Sequence, residues 1–225
     1  MAADTGRAGL RHGAAMGVAT VLMMIIMTLS GCQSMNPLPA FGVGDAAPEE
    51  ARIGKLLKWH SGRVEVYRGF RTVFTARAVY LSDEIQRLAA DWEARSTLMN
   101  PEERAAFEKT FLGENTNVIK VLVGFYTPDE QMNDLSEENS FWIPYINNPD
   151  GTVIRAACLD ADENITRIYM RFLQWDLSWS RLYLLCFPYQ GERLETEDGW
   201  ISMMISGAQG RGTIRLRFDP PEDGS

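Results

Sequence analysis

The chain has 225 residues, of which 22 are basic and 30 are acidic, so its formal net charge is −8. Binding to nucleic acid depends on lysine and arginine side chains that neutralise phosphates, so this acidic balance excludes nucleic acid as the expected partner. The length fits one folded domain with an N-terminal extension, and the six Trp, seven Tyr and ten Phe residues predict an aromatic-rich core.

The N-terminus has the parts of an export signal. Arg7 and Arg11 make a basic start, and residues 14–30 are apolar or small throughout. This apolar run is at the short edge of the roughly 17–25 residues that a spanning helix needs, and no basic cluster follows it directly. We therefore expect a cleaved signal peptide over residues 1–31.

The signal ends in Leu29-Ser30-Gly31-Cys32, which resembles the lipobox of bacterial lipoproteins. A branched apolar residue stands three places before the cysteine, and two small residues precede it. The resemblance implies that the Cys32 thiol receives a diacylglycerol through a thioether, that cleavage makes Cys32 the first mature residue, and that its amine is then acylated. Two or more acyl chains hold stably at a bilayer, so the expected protein is anchored to the membrane and does not span it.

The remaining chain divides into a tether over residues 32–47, a single globular domain over residues 48–218 and a loose tail over residues 219–225. The tether is rich in Pro and Gly, and its mean reach is about 20 Å. Removing the signal leaves 20 basic against 29 acidic residues, a net charge of −9. Gln33 follows the lipidated cysteine, where many bacteria with two membranes use Asp to retain lipoproteins at the inner membrane. This favours the periplasmic face of the outer membrane.

The domain is predicted to begin with a helix and a strand. Pro48 can occupy the first turn of a helix whose apolar residues recur at helical spacing, and Gly62 is expected to end it. From Phe70 to Tyr80 every second residue is apolar or small, which predicts a strand.

A helical hairpin follows the strand. Ser82 caps the first of its helices, and Asn100-Pro101-Glu102-Glu103 is a capping box that starts the second, which Gly113 ends. Phe107 and Phe111 lie four residues apart, so we expect both to face the sheet.

The rest of the chain predicts mostly antiparallel strands. The expected fold class is α+β, a β-sandwich-like core with the helical hairpin packed on it, and a helix-grip-like fold is the alternative. The predicted strands are Val118–Tyr126, Phe141–Ile146, Thr152–Leu159, Ile168–Leu173, Arg181–Phe187, Trp200–Ser206 and Gly212–Phe218.

Two cysteines remain in the mature chain besides Cys32. The compartment beyond the inner membrane is oxidising, so Cys158 and Cys186 are a possible disulfide. Both are predicted to point from strands toward the core, and a bridge requires that the two strands be neighbours. The alternative is a pair of buried free thiols.

We predict no catalytic residue, no metal site and no cofactor. His60 is the only histidine after the signal, and no Gly-x-Ser-x-Gly motif accompanies it, so a packing or capping role is expected. Zinc sites of the usual type lack ligands. The run Gly42-Val43-Gly44-Asp45-Ala46-Ala47 matches a dinucleotide fingerprint only as a string, because it lies in the tether with no strand before it.

A further motif imitates calcium binding. Asp160-Ala161-Asp162-Glu163-Asn164 resembles the start of an EF-hand loop, but Ile165 stands where the loop needs glycine and Arg171 where it needs glutamate. A polar turn between two strands is the expected structure here.

Three groups of charged residues are candidates for a functional role. Two acidic groups could in principle supply the paired carboxylates of a glycosidase, although acidic runs on an acidic protein are usually solvated loops. A basic group lies just after the tether and could attract anionic head groups, although ordinary solvated charges are the favoured interpretation. The first acidic group is Asp129, Glu130, Asp134, Glu137 and Glu138, the second is Glu192, Glu195, Glu197 and Asp198, and the basic group is Arg52, Lys55, Lys58, Arg63, Arg68, Arg71 and Arg77.

Several residues of the mature domain look like those of a known group of proteins: Gly62, Tyr67, Phe70, Tyr80-Leu81-Ser82, Trp179, Tyr183 and Phe187-Pro188. In these residues the domain is similar to uncharacterised lipoproteins of bacterial envelopes, a resemblance that implies no known activity. The expected function is binding or structural association by a lipid-anchored envelope protein, with the membrane as one partner and another envelope protein as a possible second. The alternatives are a carboxylate-dependent hydrolase of envelope glycans and a carrier of lipids or small ligands.

Overall fold

The structure is a computed structural model, and it describes residues 48–113, 117–135, 140–160, 163–173, 175, 178–191 and 194–219. All of these residues belong to one compact unit. The predicted signal, Cys32, the tether with its glycine-rich run, and residues 220–225 of the tail lie outside the described residues.

The described residues contain nine strands, which form two antiparallel sheets. The strands are β1 Ser61–Arg68, β2 Arg71–Tyr80, β3 Val118–Tyr126, β4 Trp142–Asn147, β5 Val153–Arg155, β6 Cys158–Asp160, β7 Arg181–Pro188, β8 Trp200–Gly207 and β9 Gly210–Arg217. One sheet has five strands in the order β1-β2-β3-β7-β6, and the other has four in the order β5-β4-β8-β9.

Four α-helices, α1 Pro48–Trp59, α2 Asp83–Ser96, α3 Pro101–Leu112 and α4 Glu163–Met170, complete the described elements, with one 3-10 turn at Glu130–Met132. The helices contribute to an apolar cluster that includes Val79, Leu122 and Leu184, which lie on the outer face of the five-stranded sheet. The layers therefore run from helices through the five-stranded sheet to the four-stranded sheet.

A second apolar cluster fills the space between the two sheets. Phe74 and Phe125 of the five-stranded sheet meet Trp142 of the four-stranded sheet, with ring centroids 5.0 and 5.7 Å apart. All three side chains are buried.

The predicted fold class is confirmed: the protein is α+β, with a mostly antiparallel sandwich core and a packed helical hairpin. The last described element is the strand β9, whereas the helix-grip-like alternative would have a long helix at this place.

The helical hairpin α2–α3 has the predicted caps. The Ser82 side chain accepts from the Ile85 amide, and Asn100 Oδ1 accepts from the Glu103 amide at 3.0 Å while Glu103 accepts from the Asn100 amide at 2.9 Å. At the other end of α3, the ammonium group of Lys120 donates to the Leu112 carbonyl at 2.6 Å. A cation placed there satisfies carbonyls that the helix itself leaves unpaired.

The strand predicted from Phe70 to Tyr80 is present as β2, but it is the second strand of a hairpin whose first strand, β1, was not predicted. Gly69, with φ of 63°, allows the turn of this hairpin, which leaves Phe70 fully exposed. Two predicted elements differ in the structure. The predicted strand Thr152–Leu159 is two short strands, β5 and β6, which belong to different sheets. The predicted strand Ile168–Leu173 is wrong, since Ile168 lies in the helix α4.

Gly62 lies inside β1 and does not end α1, which stops at Trp59. A Cβ atom on Gly62 would lie 2.3 Å from the Arg215 carbonyl oxygen of β9, so only glycine allows these two strands to approach so closely. β1 and β9 are edge strands of different sheets, and this close contact joins the two sheets along one side of the sandwich.

Candidate binding surface

Three members of the predicted acidic groups form local structural contacts, and Glu137, Glu138 and Glu192 lie outside the described residues. Asp129 caps the 3-10 turn by accepting from the Gln131 amide at 3.1 Å, and Asp134 forms an ion pair with Arg181 at 3.1 Å. Glu195 belongs to an isolated β-bridge with Ile201. Within the described ranges, no group of three His, Cys, Asp or Glu side chains could hold a metal ion.

The EF-hand-like segment does not join two strands, so the predicted turn is wrong. Asp160 ends β6, and the helix α4 begins at Glu163. Residues 161 and 162 between them lie outside the described residues. The segment therefore connects a strand to a helix.

His60 is a buried packing residue, with 1% of its surface exposed. Its Nδ1 lies 2.6 Å from the Arg217 carbonyl oxygen, and its ring meets Tyr80 edge-on at 5.4 Å. Burial lowers the pKa of His60, which the hydrogen bond to Arg217 only partly offsets. The neutral imidazole thus serves as a donor that ties the end of α1 to β9.

The basic residues of the predicted cluster do not form one surface. Arg52 of α1 forms an ion pair with Glu84, and Arg63 of β1 lies 3.6 Å from Glu65. The Arg68 side chain donates to the Gln209 carbonyl at 3.2 Å. These cations are spread over a helix and two strands and are partly neutralised by neighbours. The favoured interpretation of ordinary surface charges agrees with these contacts.

The two mature cysteines are register partners in the five-stranded sheet. Cys158 of β6 stands directly opposite Cys186 of β7, and Cys186 is disulfide-bonded. Directly opposed residues of an antiparallel pair have Cα atoms about 4.5–5.5 Å apart, within the range that a disulfide requires. The strands that carry the two cysteines are therefore neighbours, as the predicted bridge requires.

A groove of about 670 Å³ lies between α1 and the segment after α4. We call it the basic groove; apolar side chains, among them Leu57, Phe172 and Trp175, line it together with three cations and one carboxylate, namely Lys55, Lys58, Arg171 and Glu50. Arg171 lies 5.2 Å from the Trp92 ring and forms an ion pair with Glu93.

The outer face of the four-stranded sheet is the largest feature that sequence reasoning missed. We call its thirteen outward strand positions the open face, and none of the thirteen is acidic, whereas four are arginines. The open face consists of Ile143, Tyr145, Asn147, Val153, Arg155, Trp200, Ser202, Met204, Ser206, Arg211, Thr213, Arg215 and Arg217.

Tryptophan and arginine side chains are stacked at one end of the open face. Arg217 lies 4.4 Å from the centroid of the Trp59 ring and 4.7 Å from that of Trp200, and Arg215 lies 5.1 Å from Trp200. The Trp59 indole also donates to the Asp219 carbonyl at 2.9 Å, so the first residue of the predicted loose tail is held. These contacts hold the guanidinium groups in place, since cation–π attraction favours the stacked geometry.

Part of the open face was visible in the sequence. Arg211, Thr213, Arg215 and Arg217 alternate with the small or apolar residues of β9, so one face of that strand had to be basic. Trp59 joins the stack from a helix 158 residues earlier, and no local pattern could predict that contact.

Comparisons with known proteins assign no family. No protein-family model matches the chain, and no curated protein matches it. Among solved structures, a protein of unknown function from Burkholderia pseudomallei is similar with a TM-score of 0.43 and 14% identity, over 76% of this chain and 84% of that one. A likeness of this strength carries no argument about function. Among the helices of the described residues, none is both long and apolar enough to cross a bilayer.

Proposed function

We propose that this protein is a lipid-anchored protein of the bacterial cell envelope and that it acts by binding rather than by catalysis. The lipobox-like Leu29–Cys32 supports the anchor. The open face carries the binding proposal, because a sheet face with four arginines and no acidic strand position is unusual on a mature chain of net charge −9. Charge segregated in this way creates a local field that attracts anionic partners.

The periplasmic face of the outer membrane is the proposed location. Gln33 after the lipidated cysteine supports this site over the inner membrane, and the tether over residues 32–47 would hold the domain at a mean distance of about 20 Å from the bilayer. The partners proposed are the membrane, through the N-terminal lipid, and a component of the same envelope.

The basic groove favours one alternative, a carrier of small amphipathic ligands. Its volume of about 670 Å³ falls within the roughly 300–1,000 Å³ of ligand pockets, and its lining combines apolar and cationic side chains. Wild-type protein purified from cells and extracted with organic solvent should then release a stoichiometric amphiphile. The hydrolase alternative gains no support from the described acidic residues, since Asp129 and Asp134 serve in a cap and an ion pair.

The anchor is tested by substitution of the lipidated residue. Cells that express the wild type, Cys32→Ser or the neighbouring control Ser34→Ala are fed a clickable fatty acid, and the purified proteins are compared for label. The wild type and Ser34→Ala should carry label, whereas Cys32→Ser should carry none and keep its signal peptide, because lipidation and cleavage both depend on that thiol. Equal label on all three proteins would contradict the proposal.

A further inference from the structure

The open face differs in charge from the rest of the domain. Arginines occupy four of its thirteen strand positions. The neighbouring acidic residues lie outside the strands, at the end of the face that also carries the stacked tryptophan and arginine side chains: Asp150 in the turn between β4 and β5, Glu197 and Asp198 before β8, and Asp219 after β9. Arg155, Arg211 and Arg215 are exposed. An anionic partner would therefore meet attraction over most of this face, although the whole protein repels it.

The tryptophan–arginine stack restricts the chemistry of the partner. Sugars bind proteins by lying on open aromatic rings, but the Trp200 ring already carries Arg215 and Arg217 at about 5 Å. A guanidinium group stacked on a ring still presents its N–H edge, whose donors match the paired oxygens of a phosphate. The stack is therefore suited to phosphate groups rather than to sugar rings.

The open face also has the residues of a membrane–water interface. Ile143 and Val153 are 45% and 53% exposed, and Phe141, just before β4, is 53% exposed. Trp and Tyr favour the head-group region, where an apolar body and a polar edge are both satisfied, and the open face contains Trp200 and Tyr145. A sheet face that mixes cations with exposed apolar side chains matches a bilayer surface better than it matches a peptide, which would need a groove or a sheet edge.

The predicted tether is short enough to hold the open face near a bilayer. Only the tether, residues 32–47, separates the predicted lipid from α1, and α1 ends at Trp59, the first ring of the stack. The predicted tether would have a mean reach of about 20 Å, and a helix of twelve residues adds about 18 Å. The stack can therefore contact the leaflet that holds the lipid.

We propose that the open face binds the phosphate head groups of anionic lipids, so that the domain lies with its four-stranded sheet against the bilayer. The location of this contact rests on the proposed lipid anchor, and its chemistry rests on the open face alone.

The test uses the mature lipoprotein, purified in detergent and reconstituted on vesicles. Thr213→Cys places an environment-sensitive fluorophore at an exposed position of the open face, and Thr110→Cys places the same fluorophore on α3 as a matched control. The wild-type chain treated with the fluorophore supplies the background. Vesicles consist of phosphatidylcholine alone or with phosphatidylglycerol added.

The fluorophore at position 213 should report an apolar environment only on vesicles with phosphatidylglycerol, and the fluorophore at position 110 should not respond. Arg215→Gln and Arg217→Gln should each lower the ratio of docked to undocked protein roughly 5-fold, the factor that corresponds to about 1 kcal/mol per cation near an anionic surface. Arg87→Gln, an exposed arginine on α2, should leave the ratio unchanged.

Two outcomes would overturn the inference. One is an equal response of the fluorophore at position 213 on neutral and anionic vesicles, which would mean that anionic head groups do not bring the open face to the bilayer. The other is an equal loss of docking for Arg87→Gln and Arg215→Gln, which would mean that net charge alone drives the contact. Failure of the anchor is a separate result, because an unlipidated protein would not float with vesicles of phosphatidylcholine alone.

Discussion

The two outer faces of the sandwich are built from the same strand alternation but have opposite compositions. On the five-stranded sheet, the outward residues Val79, Leu122 and Leu184 lie under the helices and are buried. On the four-stranded sheet, outward positions such as Thr213 and Arg215 are exposed. A polar side chain is costly to bury without partners, so the composition of each face records whether it is covered.

The same rule holds within a single strand. Along β2 the outward residues Thr75 and Arg77 are partly exposed, and the next one, Val79, is buried where the helices begin. Coverage by helices therefore decides whether an outward position is apolar. The open face departs from this rule with exposed apolar residues such as Ile143 and Val153, and this departure supports its assignment as a binding surface.

The largest expected effect lies on the covered face. Phe111 is 3% exposed and contacts Tyr169, with ring centroids 5.6 Å apart, so Phe111→Ala should lower the free energy of unfolding by about 3–5 kcal/mol. Lys109→Ala, on the exposed side of the same helix, should cost less than about 0.5 kcal/mol. Chemical denaturation compares the two variants, and equal costs would show that α3 does not cover a core.

The disulfide should have the next largest effect. We expect Cys186 to be bridged to Cys158. Closing a loop of about 29 residues in this way stabilises a protein by about 3–4 kcal/mol. The unfolded, unreduced protein should therefore give no alkylated thiol at either residue, and reduction should lower the free energy of unfolding by that amount. Two alkylated thiols per chain would rule out the bridge.

The junction between the two sheets can be tested with two glycines. Gly62→Ala would place a Cβ atom 2.3 Å from the Arg215 carbonyl oxygen, so we expect a loss of about 1–3 kcal/mol in the free energy of unfolding. Gly54→Ala, in the middle of α1 with nothing within 4 Å, should instead stabilise the protein by up to about 1 kcal/mol. A Gly62→Ala protein that is no less stable than the wild type would mean that β1 and β9 do not approach so closely.

The smallest predicted effect is a pH dependence of the free energy of unfolding, which comes from His60, the residue after Trp59 of the stack. Burial lowers the pKa of His60 below its ordinary value of 6.5, so the unfolded chain binds more protons than the folded one below that pH. The contribution of His60 to stability should therefore be lost as the pH falls from about 6.5 toward the folded pKa.

His60→Asn provides the matched control, because its amide can keep the donor to the Arg217 carbonyl without titrating. Both proteins are denatured at several pH values between neutral and mildly acidic. As the pH falls, the free energy of unfolding should decrease more steeply for the wild type than for His60→Asn. Parallel pH profiles would indicate that His60 is not buried as a neutral ring.

Local signals predicted the elements that depend on nearby residues. The capping box at Asn100 and the strand Val118–Tyr126 are present as predicted, because caps and strand alternation are settled within a few residues. The sequence did not predict α4. Its eight residues make barely two turns, too few to distinguish helical spacing from the alternation of a strand.

Features that depend on distant contacts were not predictable. Residues 152–160 are divided between two sheets because β5 pairs with β4 and β6 pairs with β7. The arginine alternation of β9 was present in the sequence, but its meaning depends on the absence of a covering helix over the described sheet. The stack needs Trp59 beside Trp200, and only the fold brings those two rings to the same arginine.

The central claim is that the open face contacts an anionic bilayer and that the helical face does not. Hydroxyl-radical footprinting of the mature lipoprotein tests it directly by comparing vesicles with and without phosphatidylglycerol. Oxidation of Trp200 and Met204 on the open face should fall several-fold on the anionic vesicles, and oxidation of Trp92 and Phe107 in the helical layer should not change. Equal protection of both pairs, or protection of Trp92 and Phe107 alone, would contradict the account.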